Sequence, residues 1–160
     1  MLQEIFSLLF GANPELREII GVTLRMSFFS TLISAFLGLP LGVLLGGNEF
    51  RGRSWITRVV NTLMGLPPVV AGLIVFLLLS RSGPLGSLRL LYSVQAMVIA
   101  QVLLITPIIT GLTANLVSLR AASIRETCAG IGLNAYQRLW YTVLECRVPF
   151  ISTILAGLGR

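Results

Sequence analysis

Three apolar runs, residues 26–47, 59–79 and 94–117, carry no charged side chain, and arginine-bearing stretches separate them. At about 1.5 Å of helix rise per residue the first run reaches about 33 Å, enough to cross the roughly 30 Å hydrocarbon core of a bilayer. The pattern predicts an all-α, polytopic transmembrane bundle with at least three complete spans. In the first run Gly38, Gly42 and Gly46 recur every fourth residue and line one helix face, which permits close approach of another helix. That partner helix belongs either to the same subunit or to a second one. Pro40 lies among them and predicts a kink.

The second run holds Gly65-Leu66-Pro67-Pro68, which predicts either a simple kink or a broken backbone ladder. The third has Thr106-Pro107 at its middle and the polar Gln95 and Gln101. Breaks and polar groups inside a membrane often lie near a substrate path. Pro67, Pro68, Gln101, Thr106 and Pro107 are therefore candidate path residues. Gln101 equally fits a hydrogen bond to a neighbouring helix.

Between the runs, residues 48–58 form a short polar loop, and residues 80–93, with Ser82-Gly83-Pro84, form a turn-rich one. Residues 1–10 are apolar but lack a signal peptide's basic start and cleavage site, and predict a short interfacial helix. Asn13-Pro14-Glu15 marks a helix start. A fourth run begins near residue 148 and supplies only about 18 Å of helix before the sequence stops. On this reading the 160 residues form one transmembrane domain with a partial fourth span, a truncated product or fragment of a longer chain.

Residues 118–147 carry capping signals instead of a bare connection. Ser123-Ile124-Arg125-Glu126 fits a capping box and predicts a short helix from Ile124, ended by a left-handed turn at Gly130 or Gly132. Asn134 and Gln137 predict the start of a second helix. In it Tyr136, Leu139, Trp140, Val143 and Leu144 fall on one apolar stripe. A helix–turn–helix of this kind suits a docking surface for a soluble partner; a helix lying on the membrane interface is the alternative.

Composition agrees with lipid as the solvent. Hydrophobic residues make up 55% and charged residues 11%, with mean hydropathy +0.90. Soluble domains carry about a quarter charged residues. All twelve basic residues are Arg and all six acids are Glu, for a net charge of +6. The arginines are scattered between apolar runs and build no single basic face, which argues against nucleic acid. Loops 48–58 and 118–147 hold seven of them, against four around the opposite ends (Arg17, Arg25, Arg81, Arg89), which places the first pair of loops in the cytoplasm. Without Asp or His, and with only Cys128 and Cys146, the chain offers no acid–base pair, metal site or cofactor site, so an enzyme is not expected. Without Lys it has no phosphate-binding loop of its own.

The stretch Glu126-Thr127-Cys128-Ala129-Gly130-Ile131-Gly132 resembles the Glu-Ala-Ala loop of ABC importer permeases. Glu126 and Gly132 match in identity and spacing, and Thr127 and Cys128 stand where the family has alanines. Leu144 falls on the leucine of the family's closing Leu-Pro, while Glu145 stands at that proline. Residues 36–42, 61–70 and 80–86 also resemble the tungstate and molybdate permeases, tungstate more closely. The resemblance implies a type I importer permease that moves an oxyanion: tungstate first, then molybdate or sulfate. Glu126, Thr127, Cys128, Ala129, Gly130, Gly132 and Arg138 would form the coupling loop seated in a cytoplasmic ATPase. An extracytoplasmic binding protein, a second permease copy and the lipid of the inner membrane would be its other partners. A non-transporting scaffold that uses the same loop is the alternative function.

Overall fold

The longest apolar runs become the longest helices. In a computed structural model, which describes residues 14–159, the helices in chain order are α1 (Pro14–Gly47), α2 (Arg53–Met64), α3 (Pro68–Leu79), α4 (Val94–Ile131), α5 (Ala135–Glu145) and α6 (Arg147–Leu158). A short 3-10 turn (Gly86–Leu88) lies between α3 and α4. The fold is an all-α membrane bundle. The interfacial helix expected over residues 1–10 lies outside the described residues.

Leu16–Gly47 and Val94–Ala121 are each long and apolar enough to cross a bilayer. The second run, 59–79, for which the sequence left kink and break open, forms two helices, α2 and α3, bent by 100° at their junction. Its cause is local. Pro67 and Pro68 lack N–H donors, and a residue before proline is driven out of the helical region. Pro67 is accordingly extended (φ −62°, ψ 138°), and α3 restarts with Pro68 in its first turn. The two halves differ in chemistry. Arg53, Thr57, Arg58, Asn61 and Thr62 make α2 amphipathic, whereas α3 is apolar throughout.

The glycine ladder of α1 packs against α4 within the chain. A Cβ at Gly38 would meet Ile109, one at Gly42 would meet Thr113, and one at Gly46 would meet Val117. Further along the same seam Ser30 Oγ donates to Gln101 Oε1 at 2.8 Å. The residue numbers rise together on both helices, so α1 and α4 are parallel. Two parallel spanning helices require the chain between them to return across the membrane, and α2, α3 and the 80–93 loop carry it back. The loops after α1 and after α4 therefore share one side, as the arginine distribution expects.

From that side α6 runs antiparallel to α4. Phe150 packs with Val43 and Val117, while Gly157, two turns on, faces Ile105 and Ile109. Buried Ala35, Ile105 and Ile109 with Leu39 and Ile154 complete the core. Around it the surface stays apolar: Phe36 is 80% exposed, and Phe28, Leu32, Leu73 and Leu77 are also exposed. Such a surface has hydrocarbon as its solvent.

Candidate functional site

Beyond the bilayer α4 continues without interruption. It is 38 residues long, about 57 Å, so its last turns project past the membrane. The separate helix expected from Ile124 is absent, because residues 119–129 contain neither Gly nor Pro and propagate the helix already formed. Ser123 sits inside it, and its carbonyl accepts from Thr127 Oγ1 at 2.9 Å.

The helix ends at Gly132, with φ +71°. Leu133 N–H donates to Cys128 O at 3.0 Å, the six-residue closure of a Schellman turn, with Gly132 at its left-handed position. Gly130 lies two residues earlier, within the helix. Asn134 follows in an extended conformation and opens α5 with a reciprocal capping box, in which Asn134 N–H donates to Gln137 Oε1 at 2.9 Å. Three residues thus reverse the chain, each with a defined conformational task.

Among the described side chains, Thr142 on α5 and Cys146 just past its end are buried, while Trp140, Val143 and Leu144 remain exposed at 64%, 39% and 47%. The apolar stripe read from the sequence thus faces away from the chain's own core, at least over these three residues. Cys146, at the α5–α6 junction, is fully buried against Val43, Val117 and Phe150. Arg120 was visible in the sequence only as a charge. Its Nη1 donates to the carbonyl of Glu145 at 3.2 Å, tying the α4 extension to the end of α5. No local spacing could reveal a bond across 25 residues. Arg120, Ser123, Thr127, Tyr141 and Glu145 line a groove of about 240 Å³ in this corner.

Of the predicted loop residues, Glu126 and Thr127 are exposed, Cys128 is buried, and Gly130 and Gly132 have open space where a Cβ would be. The side chains of Ala129 and Arg138 lie outside the described residues. The predicted path residues lie on α4 and at the α2–α3 junction. Gln101 accepts from Ser30, and Thr106 Oγ1 donates to Val102 O at 2.7 Å, so both are engaged within the chain. Pro107 lies inside α4, while Pro67 and Pro68 form the α2–α3 break.

Burial raises the pKa of the Cys146 thiol; nearby Arg120 lowers it, and Glu145 adds to the rise. The folded chain holds the neutral thiol. Alkaline pH ionises it more readily in the unfolded chain, so this contribution to stability is present at neutral pH and lost as pH rises through the folded value. Maleimide labelling at neutral pH should leave both Cys128 and Cys146 unmodified in the folded protein and modify both after denaturation. Rapid labelling of Cys146 in folded protein would contradict its burial.

Residues 38–156 match the family described as binding-protein-dependent transport system inner membrane component. The chain is 36% identical over 143 residues to a probable anion ABC transporter permease protein of Haloferax volcanii, covering 89% of this chain and 62% of the relative. It is 33% identical over 153 residues to the tungstate uptake system permease protein TupB of Peptoclostridium acidaminophilum, covering 96% and 67%. A sulfate transport system permease protein CysW of Synechococcus elongatus is 26% identical over 138 residues, covering 82% and 48%. The chain therefore spans about two thirds of the length of the first two relatives.

Proposed function

The chain belongs to the family of binding-protein-dependent transport inner membrane components, and from that membership we propose that it is the membrane-spanning subunit of an ATP-driven oxyanion importer. It is a multi-pass inner membrane protein, and the chemistry of ATP hydrolysis belongs to another chain. Tungstate is the substrate favoured, because similarity to a tungstate permease extends over 96% of the chain. A binding protein delivers the anion from outside, and a second permease copy completes the path.

One observation carries the proposal: a hairpin capped at both helix ends joins the spanning core to an exposed apolar helix face. α4 is continuous from the membrane to Gly132, and α5 returns to the core through buried Cys146. Movement of α5 would be passed to α1, α4 and α6 through Cys146 packed on Val43, Val117 and Phe150 and through the Arg120 bond to the Glu145 carbonyl. Exposed Trp140, flanked by Val143 and Leu144, suits the aromatic anchor of a protein interface. Closure of two ATPase subunits would then rock the bundle as a body, the alternating-access movement such transporters need. Glu126, Thr127 and Gly130 border the same hairpin and would complete the contact.

Trp140→Ala should weaken co-purification with the cognate ATPase by at least about 2 kcal/mol, roughly thirtyfold in affinity, with the bundle's melting temperature unchanged. A microscale binding titration checks this. Wild-type affinity in the variant would remove α5 from the interface.

A further inference from the structure

The coupling hairpin makes no use of the loop between α3 and α4, at the opposite end of the bundle. There Arg81, Ser87, Arg89 and Tyr92, with Leu79 and Leu91, line an open cavity of about 770 Å³. Residues 80–93 contain no acidic side chain, so the cavity wall carries two guanidinium charges and no carboxylate from its own loop. The loop is held in a defined shape. Leu85 N–H donates to Leu78 O at 3.0 Å, Gly83 N–H to Ser80 O at 2.8 Å and Arg89 N–H to Gly86 O at 3.2 Å. A Cβ at Gly83 would collide with the carbonyl of Leu77, and one at Gly86 with that of Ser80. Arg89 (φ 49°) and Tyr92 (φ 65°) both adopt left-handed backbone, which glycine or asparagine would accept more readily. Arg89 takes it as the residue that closes the 3-10 turn Gly86–Leu88.

We infer that this cavity is a cationic vestibule that receives a dianionic tetrahedral oxyanion at the outer mouth of the bundle. The inference rests on the importer reading, which supplies an anionic solute arriving from that side. Guanidinium forks match paired oxygens of such an anion, and Ser87 adds a hydroxyl donor. The cavity is open and much larger than a four-oxygen ion. It therefore holds the anion hydrated and weakly, raising its local concentration without trapping it. Attraction of this kind is screened over about 8 Å at physiological ionic strength, so it is salt-sensitive.

The test is calorimetric titration of the detergent-solubilised full chain with tungstate at neutral pH, at low and then higher salt. Because recognition is by charge and tetrahedral shape, tungstate serves as the probe whichever oxyanion is carried. Wild type should bind, with affinity falling as salt rises. Arg81→Gln with Arg89→Gln should weaken binding about tenfold or more, and Arg81→Lys with Arg89→Lys should retain part of it. Arg51→Gln with Arg53→Gln, the same charge removed from the opposite side, should bind as wild type. Absence of binding to wild type, unchanged binding in the double Gln variant, or equal loss in the Arg51/Arg53 variant would overturn the vestibule. Co-purification with the ATPase depends on α5 at the other end. Its retention alongside any of those results would sink the vestibule and leave the importer reading standing.

Discussion

Gly42→Val is expected to unfold or grossly loosen the bundle, costing about 3 kcal/mol or more. A Cβ at this position would lie 2.5 Å from Thr113 Cβ, 2.7 Å from its Cγ2 and 2.8 Å from the carbonyl of Thr110. Ordinary contact begins near 3.4 Å, and a backbone carbonyl in a regular helix has little freedom to retreat. The helices must separate, and separation also opens the contacts of Gly38 with Ile109 and Gly46 with Val117. Lipid gives no compensating hydrophobic drive between helices, so lost packing is lost stability. Gly72→Ala in α3 is the control: nothing lies within 4 Å of its would-be Cβ, so a neutral or slightly stabilising effect is expected. Thermal denaturation in detergent reads both. A Gly42→Val protein that melts with wild type would refute the α1–α4 seam.

Gly132→Val should act oppositely, sparing the bundle and abolishing coupling. Nothing surrounds a Cβ at this position, so the penalty comes solely from forcing a β-branched residue to φ +71°. That costs about 1–3 kcal/mol and is relieved if α4 runs on or the turn opens, either of which displaces α5. ATPase binding and substrate-stimulated turnover should fall at least about tenfold, while melting of the spanning core changes little. Gly132→Asn should keep most activity, since asparagine tolerates the left-handed region. Equal loss in the Asn and Val variants would show that the residue matters for something other than its backbone conformation.

Where a local chemical signal had one meaning, the sequence was legible. Charge-free runs located the spanning helices, the Asn134/Gln137 pair located the start of α5, and the glycine ladder announced a close helix contact. Ser123-x-x-Glu126 misled because a capping box acts only where the preceding chain is not already helical, and residues 119–122 are good helix formers. Pro67-Pro68 left kink and rupture open in the sequence, and the structure shows a 100° break where two successive residues lack N–H donors. What no pattern could supply was partnership across distance. Arg120 on the Glu145 carbonyl and Ser30 on Gln101 join segments far apart in sequence.

The central claim is that α5 seats in an ATPase on the cytoplasmic side. A photo-crosslinking amino acid placed at Trp140, in cells that also produce the cognate ATPase, tests it most directly. An adduct with the ATPase is expected at position 140 and none from the same probe at Phe36, on the lipid-facing surface. An ATPase-free result at 140, or labelling of that position by a membrane-impermeant reagent added outside intact cells, would contradict it.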